Sequence, residues 1–164
     1  MPTSKHSDYP HSYAEAKEIL DKARVSGYRV LPGVETHLVR TSPDSISLTY
    51  HNTAVVRWYA ASTIIRINTG GWMTATTKLR LNDALPIEWR VYQEKKVWYI
   101  CNSWYQNQGW NEWEPIEDTW RWLSPCLQVY VDIAEHIAYD RYGVELAVDG
   151  TSIQGGFRCP NFPE

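Results

Sequence analysis

Apolar positions change their period along this chain, and each change marks an element. From Ser12 the spacing is helical: Ala16, Ile19, Leu20 and Ala23 form one stripe, while Lys17, Glu18, Asp21, Lys22 and Arg24 fill the wet face. Ser12-Tyr13-Ala14-Glu15 has the form of a capping box, in which the serine oxygen accepts an N–H and the glutamate reaches back to the cap. A helix is therefore predicted from Ser12, with Gly27 placed to end it in a left-handed conformation.

Beyond Tyr28 the period falls to two. Tyr28, Val30 and Leu31 suggest a short strand broken by Pro32-Gly33, and His37 to Arg40 another, before the turn Thr41-Ser42-Pro43-Asp44. Ile46, Leu48 and Tyr50 then alternate with Ser47 and Thr49, as in a strand with one buried face. Val55 to Ala60 and Thr63 to Asn68 continue the pattern across the small residues Ala60, Ala61 and Ser62, which makes a meander the economical arrangement.

Asn68-Thr69-Gly70-Gly71 closes this block. A second helix is predicted from about Thr76 to Leu85, capped by Thr76 or Thr77 and stopped by Pro86. Glu88 to Gln93 and Lys96 to Asn102 read as a hairpin turned at Glu94-Lys95. The aromatic run from Ser103 to Trp122 carries no assignable period. Ser124-Pro125 resembles a helix start and Gly143 a helix stop, so a long helix is expected between them; Val129, Tyr130, Val131 and Ile133 favour a strand from Leu127 to Ile133 as the alternative.

These elements predict an α+β fold: a twisted antiparallel sheet of about five to seven strands with two or three helices packed on it. The chain divides into a flexible lead-in over 1–11, a single domain over 12–149 and a loop-like tail over 150–164.

The stretch Tyr50-His51-Asn52-Thr53, Ile67-Asn68-Thr69-Gly70-Gly71-Trp72, Thr74-Ala75-Thr76-Thr77-Lys78, Arg90-Val91-Tyr92-Gln93 and Val97-Trp98-Tyr99 resembles a family of small proteins encoded by tailed phages and prophages. The resemblance implies phage origin and brings no activity or catalytic residue with it. Where such relatives carry a Gly-bearing turn between two strands, this chain has Ala60-Ala61-Ser62.

Composition narrows the chemistry. Nine Trp and eleven Tyr against two Phe mean that almost every ring carries an N–H or O–H, which favours half-wet surfaces. A net charge of −3 argues against coating nucleic acid by bulk electrostatics. Cys101, Cys126 and Cys159 lack C-x-x-C spacing and read as buried small hydrophobes in a reducing compartment. No apolar run suits a membrane span or a signal peptide, so the expected location is the cytoplasm of an infected or lysogenic host.

Two candidate sites follow. Gly70, Gly71, Thr74, Thr76 and Thr77 form a glycine loop before a helix start, with Lys78 and Arg80 one turn in, a constellation suited to phosphate though not a Walker motif. Trp98, Trp104, Tyr105, Trp110 and Trp113 could make a protein interface or a stacking platform; the acidic Glu112, Glu114, Glu117 and Asp118 among them disfavour nucleic acid there. Asp132, His136 and Asp140 would share one face of the expected last helix, but no second ligand cluster accompanies them and no metal is assigned. His51 reads as a turn residue.

No catalytic signature or cofactor motif occurs, so the leading expectation is a phage accessory or counter-defence protein that binds a host macromolecule, in first place a protein, without catalysis. The alternatives are a phosphate- or nucleic-acid-directed protein, enzymes included, using Gly70 to Arg80, and a carbohydrate-binding module.

Overall fold

The computed structural model describes residues 9–33, 35–86, 89–102, 119–122, 128–156, 158–159 and 162–163. The first helix, α1 (Tyr13–Asp21), begins where the capping serine stands: Ser12 is extended, and its Oγ accepts from Glu15 N at 3.2 Å. Glu15 reaches back one residue further than a standard capping box, its Oε1 accepting from His11 N. Ala16 and Leu20 are buried and Ile19 packs beside them. The helix stops at Asp21 with Lys22 as its cap, earlier than expected. Gly27 adopts the left-handed conformation, φ +71°, but uses it to turn the chain into the first strand.

Five strands follow as the alternation predicts: β1 (Tyr28–Val30), β2 (Thr36–Ser42), β3 (Ser45–Tyr50), β4 (Thr53–Tyr59) and β5 (Ile64–Asn68), each antiparallel to the next. Next comes α2 (Ala75–Ala84), whose N-cap is Thr74 and not Thr76 or Thr77; Thr74 Oγ1 accepts from Thr77 N at 3.2 Å. Strands β6 (Trp89–Glu94), β7 (Val97–Asn102) and β8 (Thr119–Trp122) make a separate three-stranded sheet. The β6–β7 hairpin turns on Lys95 and Lys96, both at positive φ, so the two-residue loop has the left-handed geometry that matches strand twist even without glycine.

The expected long helix between Pro125 and Tyr142 is not there. Gln128–Asp132 forms β9 and Ile137–Tyr139 forms β10, so the strand alternative prevails; residues 123–127, with the apparent cap at Ser124-Pro125, lie outside the described residues. The reason is long-range. Val129, Tyr130 and Val131 face Ile67, Arg66 and Ile65 across an antiparallel ladder, and β-branched and aromatic residues gain more from that pairing than from a helix. The large sheet thus has seven strands in the order β1-β2-β3-β4-β5-β9-β10. Since Asn68 pairs with Gln128, the chain leaves β5, builds α2 and the small sheet, and returns to where it left.

One face of the large sheet carries Leu38, Ile46, Leu48, Val56, Trp58, Ile65, Ile67, Val129 and Val131, all buried. Both helices and the inner face of the small sheet close over it, through Ala16, Leu20, Leu81, Leu85, Val91 and Ile100. At roughly 1.5–3 kcal/mol for each large aliphatic side chain withdrawn from water, this layer is the main source of stability. Tryptophans do much of the filling: Trp89 stacks on Trp120 with centroids 5.9 Å apart, and Trp98 meets Trp122 edge-on at 5.9 Å. The expectation of half-wet indoles is corrected here. Among the described residues Trp58, Trp89, Trp98, Trp120 and Trp122 are buried, and Trp72 alone is exposed. A three-stranded sheet is too small to cover a seven-stranded one with aliphatic side chains, and indoles supply the missing bulk.

Residues 1–8 of the expected lead-in lie outside the described residues, while Tyr9 is buried and its hydroxyl donates to Pro32 O. On the opposite face of the large sheet Tyr59, Ile64, Tyr130 and Tyr139 gather with Cys159 from the chain's last residues, and Phe162 packs on Tyr130 at 4.5 Å.

Candidate functional site

The glycine loop takes the shape its sequence implies, with φ +62° at Gly70 and +90° at Gly71. Its N–H groups are already engaged. Asn68 Oδ1 accepts from Gly70 N at 2.8 Å and Thr69 Oγ1 from Gly71 N at 3.2 Å, local turns of the Asx and Ser/Thr kind. Thr74 serves as the cap, Thr77 is buried with its hydroxyl 3.1 Å from that of Thr74, and Thr76 is half-buried.

The two cations go elsewhere. Lys78 Nζ donates to Gln93 Oε1 at 3.2 Å and lies 5.4 Å from the Trp98 ring centroid, covering the small sheet. Arg80 turns inward: Nε donates to Thr36 Oγ1 at 3.1 Å, Nη1 pairs with Asp83 at 3.3 Å, and the guanidinium sits over the Tyr9 ring. The side chains of Lys78 and Arg80 are thus engaged with Gln93, Thr36 and Asp83.

Of the aromatic candidates, Trp98 is a core residue, only 3% exposed. Trp104, Tyr105, Trp110 and Trp113 lie outside the described residues. Asp132, His136 and Asp140 do not share a helix face. Asp132 Oδ1 caps the β9–β10 turn, accepting from Thr63 Oγ1 and from the N–H groups of Ala134 and Glu135. Asp140 accepts from Tyr142 N, Val144 N and Ser152 Oγ in another turn. His136 is exposed and meets Trp89 edge-on. Among the described residues there is no cluster of three or more metal-ligating side chains. His51 occupies the β3–β4 turn at φ +54°, its N–H donating to Glu35 O.

Two features escaped the sequence reading. The first is the edge at β1. Gly27 O and Leu31 N bond to β2, so by alternation Tyr28 and Val30 turn their backbone polar groups outward, where Tyr28 N donates back to Val25 O at 3.3 Å and the Val30 N–H is left facing away from β2. All three residues of β1 are exposed. Val25 is 60% and Val30 61% exposed, beside a groove of about 480 Å³ lined by Lys22, Arg24, Arg29 and these apolar residues. The opposite edge is shut: residues 144–146 pair with β10, Leu146 N donating to Ala138 O and Asp140 N to Val144 O. The sequence signal for β1 was only a three-residue alternation, too short to show which edge it would occupy.

The second feature is on the face away from the helices. Arg57 of β4 and Arg66 of β5 are direct cross-strand partners, with Ser47 and Tyr130 next along the same row. Each arginine interrupts an apolar strand, Val-Val-Arg-Trp-Tyr and Ile-Ile-Arg-Ile-Asn, which is the trace they leave in the sequence.

A family model described as Kyanoviridae Gp96 protein matches residues 32–121, more than half of the chain. The chain belongs to this family. It is a phage protein, as the resemblance across Tyr50 to Ile100 implies. The part shared with the Kyanoviridae Gp96 family runs from the turn before β2 through β8, and so takes in α2, the small sheet and both strand arginines, while α1, β1, β9 and β10 fall outside it. No curated protein matches the chain, and no solved structure does. Among the described residues no helix is long and apolar enough to cross a membrane.

Proposed function

We propose that this phage protein acts without catalysis, binding a host protein by adding one of its extended segments to the free edge of β1. The observation that carries the reading is the contrast between the two edges of the seven-stranded sheet, one shut by residues 144–146 and the other open at Val30, beyond the bridge between Val25 and Tyr28. An unpaired edge is a template for another chain, which soluble proteins ordinarily blunt with charge, proline or a covering loop. Here the edge carries Val25, Tyr28 and Val30 exposed, three apolar side chains that a docked strand would cover. Arg24 and Arg29 form no ion pair among the described residues, so a partner strand with acidic side chains fits the charge of the groove.

The test uses the orientation of the edge. Val30→Pro removes an N–H that points away from β2, so the ladder within the protein stays intact while the outer edge loses its donor. In affinity capture from host lysate, the wild type and Leu79→Ala, an exposed change on α2, should retain the same host protein in near-stoichiometric amount, and Val30→Pro should release it. Equal retention by Val30→Pro, or loss of nothing but self-association, overturns the reading.

A further inference from the structure

The two faces of β1 differ in chemistry. Arg29 lies opposite Leu38, a core residue, so its side chain stands on the face of the sheet that the helices cover. Tyr28 and Val30 lie opposite Val39 and His37 on the other face, where Tyr28 stacks on His37 with ring centroids 5.3 Å apart. The same division continues outside the edge. A hollow of about 280 Å³ between α1 and β1 is walled by Glu18, Ile19, Lys22, Arg29 and Leu31, and the hollow of about 480 Å³ beside it adds Arg24. Three cations thus share these walls with one carboxylate. Glu18 answers Lys22 only at 3.5 Å, with both side chains 72% exposed, while Arg24 and Arg29 form no ion pair among the described residues.

Charge on one face and apolar surface on the other is a pattern that an extended segment can match residue by residue, since its side chains point alternately to opposite faces. The phase of the match is fixed. Tyr28 N is already turned back onto Val25 O, so a docked segment is centred on Val30, whose N–H faces away from β2. The residue opposite Val30 places its side chain on the face of Val30, and its two neighbours place theirs on the face of Arg29. We infer, resting on the edge-binding reading above, that the host segment carries an apolar residue opposite Val30 and an acidic residue next to it, whose carboxylate meets Arg29 and Lys22. The apolar residue covers Val30, which is 61% exposed, and the acidic neighbour answers the cations on the α1 side. The opposite phase would set a charge on Val30 and Tyr28 and an apolar side chain among the cations. The partner is therefore specified by alternation, acidic then apolar then acidic, and not by net charge alone.

Titration of the full chain with short end-blocked peptides, followed by backbone-amide NMR, tests the inference. Each peptide has a glycine-serine frame around a valine flanked by two glutamates, two glutamines or two lysines, or around a serine flanked by two glutamates. The glutamate-valine peptide should shift the Val30 amide and bind roughly three- to fivefold more tightly than the glutamine form, the yield of one or two exposed ion pairs, with the lysine form weaker still. Serine in place of valine should weaken binding as well. Arg29 is exposed, so Arg29→Gln should keep the fold; it should remove most of the preference for glutamate and leave that for valine, and added salt should act in the same direction. Equal binding of the glutamate, glutamine and lysine forms, a preference unmoved by Arg29→Gln, or binding of none of the peptides overturns the inference. The edge-binding reading fails separately, when Val30→Pro still retains the host protein from lysate; loss of that protein by Val30→Pro, with no charge preference among the peptides, removes only the alternation.

Discussion

The Arg80 guanidinium lies directly against Gly33, so close that a β-carbon on Gly33 would stand 2.2 Å from Arg80 Nη2. Gly33 also holds φ +114°, a conformation almost reserved for glycine. One residue of a loop and one of a helix are thus fitted to each other, and the fit draws in Thr36, Asp83 and Tyr9.

Gly33→Ala should therefore destabilise by about 2–4 kcal/mol, combining steric clash with backbone strain. Arg80→Ala should cost about 3 kcal/mol, since Arg80 and Asp83 side chains are only 12% and 6% exposed and a broken buried pair is costly. In the Arg80→Ala background Gly33→Ala should cost distinctly less than alone, because only the backbone term remains. Urea denaturation of the four chains of this cycle measures the coupling, and strict additivity contradicts the packing described.

Ala61 sits in the β4–β5 turn at φ +55°, where a glycine would be unstrained. An alanine forced into the left-handed region loses about 1–2 kcal/mol, while glycine adds back some unfolded-state entropy. Ala61→Gly should accordingly stabilise by about 0.5–1 kcal/mol and lift Tm by about 1–3 °C for a chain of this length. A lower Tm speaks against the turn.

Burial pushes the Cys101 thiol up to about 12, with Arg90 only partly opposing it. The folded state then holds its proton where the unfolded chain, with a thiol near 9, has released it. Its contribution to stability is complete below pH 9 and is lost as pH rises towards 12. Urea midpoints should fall across that window, and Cys101→Ala should fall less steeply than wild type. The native thiol should also resist iodoacetamide at pH 8 until the protein is unfolded.

What could be read along the chain was what short-range physics decides. The Ser12 cap, the alternation through β3, β4 and β5, and the β6–β7 hairpin each depend on neighbours a few residues away; the cap and the alternation stand where their pattern put them, and the hairpin forms with its turn one residue later than expected, at Lys95-Lys96 and not Glu94-Lys95. The site residues fared differently. Lys78 and Arg80 follow the glycine loop closely in sequence, yet beside the local pair of Arg80 with Asp83 their long side chains find partners at Gln93 and Thr36, choices open only once α2 has been laid between two sheets.

Sequence alone determined an α+β protein of antiparallel strands, because side-chain period and turn chemistry are written locally. Tertiary structure alone decided that Val129 to Val131 join β5 as a strand, that the described indoles other than Trp72 fill the core, that β1 ends the sheet uncovered and that Arg57 faces Arg66. Each of these rests on register between segments far apart in the chain, and register is set by the whole sheet closing on its core, which no local window contains.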